Sequence, residues 1–148
     1  MRYPALIWRE GKDLLAEFPD CPGCQTFAGP NRDIDAEAKE ALEGWLESCL
    51  IDGTVPPVPS KSLRHPPGKH VRWIEVSPNL DVKLQLRLAR NALNLTQTQL
   101  AKRAGISQQM VAKLEHPRYS PGLPSLGKVT AALGMRIRVK LEKVTNAA

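Results

Sequence analysis

Two glutamines and a lysine stand at a spacing suited to reading DNA. Gln108, Gln109 and Lys113 follow Ser107 in the segment SQQMVAKLE. On a helix that begins at Ser107, these three side chains share one face, and apolar residues lie on another. A glutamine amide can form two hydrogen bonds with adenine, and a lysine ammonium can reach guanine or a phosphate. The segment therefore predicts a helix that offers hydrogen-bonding side chains to the DNA major groove.

The residues before this helix predict a helix-turn-helix. Thr96 can cap an earlier helix, and Gln99, three residues later, can complete a capping box. Gly105 tolerates positive φ just past that helix, Ile106 can plug the turn, and Ser107 can cap the second helix. An ordinary helical hairpin with solubilising glutamines is the alternative. The agreement of cap, glycine and apolar turn residue favours the DNA-binding motif.

Cys21 and Cys24 form a Cys-x-x-Cys pair in the turn-rich segment PDCPGC. A structural zinc site needs four ligands, and nothing in the spacing aligns Cys49, His65 or His70 with the pair. A zinc site and a redox pair remain as alternatives to a tight turn that buries small thiols, which we favour. We therefore expect no metal and no cofactor.

Four aspartates raise the question of metal-dependent nuclease chemistry, in which several carboxylates converge on Mg²⁺. They are Asp13, Asp20, Asp33 and Asp35. Two fall in predicted turns, and two lie at a predicted helix start, where carboxylates suit the helix dipole. Structural roles are favoured, so we predict no catalytic residue and no enzymatic activity.

The elements that must position these residues follow from periodicity and turn signals. Strands are predicted at 3–9, 14–18, 25–28, 71–76 and 135–141. Helices are predicted from 33 or 35 to about 51, from 77 to 93, through the helix-turn-helix, and from 121–125 to 134. The segment LDVKLQLRLA also fits a strand, but Ser77 and Pro78 before it favour a helix. Five prolines exclude a helix between 54 and 70.

These elements predict an α+β protein with two parts. Residues 1–76 form a small sheet with one helix, and the Pro-rich loop 54–70 lies within this part. Residues 77–148 form an all-α helix-turn-helix domain with a C-terminal strand. The exposed edge of this strand is predicted to pair with the same strand of a second copy of the chain; packing within the chain, against the preceding helix or the N-terminal sheet, is the alternative.

The charge of the chain is divided between its halves. Residues 1–60 carry five Lys or Arg against eleven Asp or Glu, a balance of −6, and residues 61–148 carry sixteen against four, a balance of +12. A basic half around a helix-turn-helix is typical of a DNA-binding protein. An acidic half suggests a basic protein partner. No apolar run approaches the length of a membrane helix or a secretory signal, so a cytoplasmic location with no membrane partner is predicted.

The segment Thr96–Glu115 closely resembles the phage-repressor helix-turn-helix family of the Cro/XRE type. It matches the pattern TQxxLAxxxGIS(x)3V(x)2LE of that family at every position. The resemblance implies that Gln97 holds a phosphate and buttresses the recognition helix, and that Arg90 pairs with Glu115. The predicted DNA-binding residues are Gln97, Gln108, Gln109, Lys113 and Arg118.

The N-terminal half resembles the HicB antitoxin family. Its marks are a Phe-Pro-Asp-x-Pro-Gly-Cys turn, a helix, and a Pro-x-Pro-Ser segment. They match here at Phe18, Pro19, Asp20, Pro22, Gly23, Cys24, Pro57, Pro59 and Ser60. The segment Lys113–Leu141 also resembles the branch of the family that carries a helix-turn-helix. Two departures are Cys21, where an aliphatic residue is more common, and Pro30 after Gly29.

That resemblance implies a partial ribonuclease H-like fold without catalysis. The N-terminal part would neutralise a small basic HicA-like mRNA interferase toxin, and the C-terminal part would repress the protein's own operon. The implied partners are that toxin, two-fold symmetric operator DNA, and a second copy of the chain in a homodimer or higher even oligomer. The predicted toxin-binding residues are Asp20, Cys24, Glu37, Glu40, Glu43 and Glu47; the alternative is that the four glutamates are only the solvated face of an amphipathic helix. A ligand-sensing repressor and a metal-dependent nuclease with a DNA-binding module remain as alternatives.

Overall fold

A four-stranded antiparallel sheet and one helix form the N-terminal part of the computed structural model, which describes residues 1–144. In chain order the elements are β1 (Arg2–Glu10), β2 (Asp13–Glu17), β3 (Gln25–Ala28), α1 (Ile34–Asp52) and β4 (His70–Glu75). The strand order is β3-β2-β1-β4, so β4 returns across the Pro-rich loop to pair with β1. The four strands predicted for this sheet are confirmed.

Local signals set the ends of α1. The Asp33 carboxylate accepts a hydrogen bond from the Asp35 N–H, and Gly53 ends the helix with a φ of 75°. The buried stripe at helical spacing comprises Ile34, Ala38, Leu42, Leu46, Cys49 and Leu50. Because this stripe packs on the sheet, α1 covers one of its two faces.

Alternation along the strands assigns side chains to the two faces of the sheet. Tyr3, Ala5 and Ile7 of β1 belong to the core beneath α1. Trp8 lies on the other face, directly opposite Leu15 of β2. That face keeps apolar side chains that α1 does not cover.

Four helices form the rest of the described chain. They are α2 (Pro78–Ala92), α3 (Gln97–Ala104), α4 (Gln108–Glu115) and α5 (Leu123–Ala132). The helical prediction for the ambiguous segment 80–89 is confirmed. Leu100, Val111, Leu114 and Val129 lie at the centre of a second core. None of the helices within residues 1–144 is long and apolar enough to cross a membrane.

Helix α2 contributes to both cores. Leu80 and Leu84 pack in the core of the sheet, and Leu86 packs in the core of the helical part. Ser77 occupies the N-cap position, but its hydroxyl makes no capping hydrogen bond. Its backbone N–H instead donates to Glu43 Oε1 of α1 at 2.6 Å, so α1 helps to position the start of α2.

The predicted C-terminal strand is not formed. Within the described residues, no strand follows α5, and Met135–Leu141 is an exposed segment without regular structure. The alternation of this segment is real, but a strand needs a neighbouring strand to pair with its backbone groups. Of these residues, Met135 donates its N–H to Thr130 O at 2.8 Å, which ties the segment to α5 rather than to a sheet.

Candidate functional site

The turn between α3 and α4 has the predicted geometry. Thr96 Oγ1 accepts from the Gln99 N–H at 3.1 Å, and Gln99 Oε1 accepts from the Thr96 N–H at 2.9 Å. Gly105 follows α3 with a φ of 66°. Ser107 Oγ accepts from the Met110 N–H at 3.1 Å and so caps α4. These caps confirm the predicted helix-turn-helix and fix where the recognition helix α4 begins.

A buried ion cluster holds the other end of α4. Arg90 Nε donates to Glu115 Oε1 at 2.6 Å, and Arg90 Nη2 donates to Oε2 at 2.9 Å, which gives the predicted pair two-point geometry. Arg87 Nε also donates to Oε2, at 2.8 Å. Glu115 is only 2% exposed. Sequence reasoning missed Arg87, although its position three residues before Arg90 places both on one side of α2.

The neighbouring arginines and Gln97 keep the Glu115 carboxyl ionised. Burial by itself raises the pKa of the carboxyl, but hydrogen bonds from Arg90 and Gln97 and the charges of Arg90 and Arg87 outweigh it. The pKa of Glu115 therefore lies below its ordinary value of 4.5. The cluster is a charged one at neutral pH, and it joins α2 to the last residue of α4.

Gln97 connects this cluster to the start of the recognition helix. Its Nε2 donates to Glu115 Oε2 at 3.1 Å, and its Oε1 accepts from Gln108 Nε2 at 2.9 Å. One amide thus contacts both the first and the last residue of α4. This is the position expected of a residue that buttresses the recognition helix, and it orients the exposed Gln108 side chain toward α3.

The remaining predicted DNA-binding residues lie on the outside of this motif. Gln109 and Lys113 are exposed on α4, and Arg118 is exposed just beyond it. The Arg118 N–H donates to His116 Nδ1 at 3.2 Å, which shapes the turn after the helix. The motif therefore presents an amide and two cations outward while its charged cluster stays inside.

The motif residues of the N-terminal half have internal roles. Asp20 accepts from Ser60 N–H at 2.7 Å and from Ser60 Oγ at 2.6 Å, so the turn holds the Pro-rich loop. Cys21 and Cys24 are buried in that turn. Burial raises the pKa of Cys21 to about 12 and that of Cys24 to about 11, so both are protonated thiols at neutral pH.

Two of the four predicted glutamates of α1 have partners within the molecule. Glu37 pairs with an arginine of the preceding loop at 2.5 Å, and Glu43 accepts the N–H that begins α2. Glu47 lies near the buried Lys83: burial lowers the pKa of that lysine, and the charge of Glu47 acts in the opposite direction. Of these four glutamates, Glu40 is exposed and the other three are half-buried.

The four aspartates are distributed rather than gathered. Asp33 caps α1, Asp35 pairs with Arg72 at 2.6 Å, Asp20 holds the loop, and Asp13 begins β2. In the part of the chain that the structure describes, no group of three or more His, Cys, Asp or Glu residues is placed to hold a metal ion.

Comparison with known proteins gives two kinds of match. Residues 86–139 match the family described as Helix-turn-helix. Antitoxin HicB 1 of Photorhabdus laumondii is 27% identical over 143 residues, which covers 96% of this chain and 88% of that protein. An uncharacterized HTH-type transcriptional regulator of Methanothermobacter thermautotrophicus is 43% identical over 49 residues, which covers 33% of this chain and 71% of the regulator. A solved chain of a HicA3 and HicB3 toxin-antitoxin complex covers 53% of this chain and 100% of its own length, with 27% identity and a TM-score of 0.46.

The chain belongs to the helix-turn-helix family, with its DNA-binding domain of the Cro/XRE type at residues 86–139. Over most of its length it is a homologue of the HicB antitoxins.

Proposed function

We propose that this protein is the antitoxin of a type II toxin–antitoxin system. It neutralises a small basic HicA-like mRNA interferase and represses its own operon. One observation carries the proposal: the chain is similar to HicB antitoxins along most of its length and includes a capped, internally buttressed helix-turn-helix. The helix-turn-helix match at residues 86–139, within a chain similar to HicB antitoxins over most of its length, supports a division into toxin neutralisation by residues 1–76 and operator binding by residues 77–148.

For the DNA-binding role, Gln109 and Lys113 read base edges while Gln97 and Arg118 hold the phosphates. Gln108 contributes to base contact from its position against Gln97. One domain covers one half-site, so a dimer places two recognition helices about 34 Å apart, or a multiple of it, on two-fold symmetric DNA.

The DNA-binding role is tested with the full chain and the DNA upstream of its own gene. We expect binding that is at least about a thousandfold tighter than binding to a scrambled duplex at physiological salt. Equal affinity for the two duplexes would overturn the repressor role.

For the toxin-binding role, the acidic N-terminal half is matched to a basic ribonuclease whose RNA-binding surface is cationic. Binding blocks that surface, so the antitoxin needs no catalytic group of its own. The protein is tested by co-expression with the short, Lys-rich protein that we expect the adjacent reading frame to encode. Growth arrest by that protein should be relieved and the two should co-purify; continued arrest would contradict the proposal.

A further inference from the structure

One face of the N-terminal sheet carries an apolar patch that α1 does not cover. Trp8 of β1 lies opposite Leu15 of β2, and Leu15 lies opposite Phe27 of β3. Cross-strand partners project to the same face, so the three side chains are contiguous there. We call Trp8, Leu15 and Phe27 the open patch.

The open patch is unusual for its exposure and its place in the sheet. The Phe27 side chain is 64% exposed, and Trp8 and Leu15 are half-buried. Phe27 lies on β3, an edge strand, where an exposed aromatic side chain invites association. Aromatic side chains are also enriched at the centres of protein interfaces.

Carboxylates surround the open patch on the same face. Glu10 lies opposite Asp13 beyond Trp8, and Glu17 lies two residues from Leu15 along β2. The one cation placed over the patch in residues 1–144 is Lys69, whose Nζ is 3.7 Å from the centre of a Trp8 ring. Lys69 Nζ is also 3.9 Å from Glu17 Oε2, so this ammonium is shared between the Trp8 ring and one carboxylate of the rim.

The charge of this face defines the partner it fits. An apolar aromatic centre with an acidic rim complements a protein that presents an apolar side chain among Lys or Arg residues. The glutamates of α1 are less available, because Glu37 and Glu43 have partners within the chain. The sheet face therefore offers the exposed apolar anchor and the carboxylates together.

We propose that the open patch, with the rim of Glu10, Asp13 and Glu17, is the surface on which the small basic toxin docks. This inference rests on the proposed antitoxin function. Phe27 is the anchor that enters the partner, and the rim carboxylates steer the cationic partner to the sheet.

The first test is Phe27→Thr, which keeps a residue suited to a strand and removes the exposed ring. Its matched control is Ile51→Thr, because Ile51 is 57% exposed on α1, outside the sheet. The probe is the small basic protein of the adjacent reading frame, bound to the immobilised full chain. We expect Phe27→Thr to raise Kd about tenfold or more and Ile51→Thr to change it by less than about twofold.

The outcomes separate this inference from the proposed function. If the wild-type chain does not bind the basic protein, the antitoxin function fails and this inference fails with it. If the wild type binds and Phe27→Thr binds equally well, only the docking surface is wrong. If Phe27→Thr instead lowers the oligomer mass in light scattering, the patch is an interface between copies of this chain, and the inference is overturned.

The second test compares Glu17→Gln with Glu40→Gln. Both changes remove one exposed carboxylate, the first beside the open patch and the second on α1. We expect Glu17→Gln to slow association and to weaken its salt dependence, since rim charges act mainly on the association rate. Glu40→Gln should leave both unchanged. The reverse pattern would move the docking surface to α1 and overturn the inference.

Discussion

At the scale of single residues, Glu115 determines how α4 is held. It accepts from Arg87, Arg90 and Gln97, and only one of these, Gln97, also contacts the beginning of α4. Removing any one of these three donors leaves the buried carboxylate with less compensation for its charge, which destabilises the folded protein. The proposed DNA-binding surface therefore depends on a residue that is itself buried.

Glu115→Gln should destabilise the protein by about 3 kcal/mol at neutral pH, because it leaves buried guanidinium groups without their counter-charge. The pKa of Glu115 is lower in the folded state than its ordinary 4.5. Its contribution is therefore present above that ordinary value and is lost as the pH falls through the folded-state pKa. Urea unfolding should show the difference between wild type and variant narrowing in acid. A difference that is constant with pH would contradict this account, and exposed Glu40→Gln serves as the control.

Replacing Gln109 by alanine and replacing Arg118 by alanine should weaken DNA binding in two different ways. Gln109→Ala should lose about 1–3 kcal/mol of discrimination at one base pair of the operator. Arg118→Ala should weaken binding to all sequences alike and reduce the salt slope by about one. Fluorescence anisotropy over a salt series distinguishes them. An unchanged salt slope for Arg118→Ala would remove its assignment to a phosphate.

At the scale of elements, the segment after α5 has the residue alternation of a strand but no neighbouring strand within residues 1–144. Ile137, Val139 and Leu141 alternate with Arg136, Arg138 and Lys140, and all six are exposed. A single extended segment with one apolar side gains stability by pairing with a copy of itself, and a two-fold axis requires each copy to present the same surface. We propose that this segment becomes a strand only in the dimer.

Val139→Asp should therefore convert the dimer to monomer. Val139 is 69% exposed in the single chain, so the change costs little where no second copy is bound. Multi-angle light scattering measures the result. Lys140→Ser, on the opposite side of the segment, is the matched control and should leave the dimer intact. A dimeric Val139→Asp protein would exclude this segment as the interface.

At the scale of the whole molecule, Arg87 links the two cores. Its Nη2 donates to Leu50 O at 3.2 Å and its Nη1 donates to Thr54 O at 3.3 Å, while its Nε binds Glu115. The end of α1 and the end of α4 thus share one guanidinium. With Leu80 and Leu84 of α2 in the first core, the halves are packed against each other rather than joined by a free linker.

Arg87→Met should separate the unfolding of the two halves. Methionine keeps much of the apolar stem, but it leaves the carbonyl groups at the end of α1 without their donor and removes one of the two guanidinium groups that bind buried Glu115, which together cost about 3 kcal/mol. Compared with wild type, calorimetry should show a thermal unfolding transition that lies at a lower temperature and is broader or split into two. Arg64→Met, at an exposed position in the Pro-rich loop, is the control. A wild-type transition for Arg87→Met would show that the packing of α2 suffices to couple the halves.

The sequence by itself determined the elements whose signals are local. Caps at Thr96 and Ser107 and the positive-φ position at Gly105 define the helix-turn-helix within twenty residues. Short apolar segments bounded by turn residues likewise located the first three strands of the sheet, and alternation located the fourth. The strand predicted at 135–141 from the same kind of local signal is wrong. Alternation indicates that a segment could form a strand with one apolar face, but it does not indicate whether a second strand lies beside it.

Only the tertiary structure decided which side chains are free to meet a partner. Glu43 falls on the outer side of α1 by periodicity, yet the start of α2 uses its carboxylate. Arg87 joins residues 33 and 37 positions away, a separation that no local pattern records. The exposure of Phe27 depends on which face of the sheet α1 covers. Burial and pairing across long sequence separations arise when the elements pack, whereas caps and periodicity act within single elements.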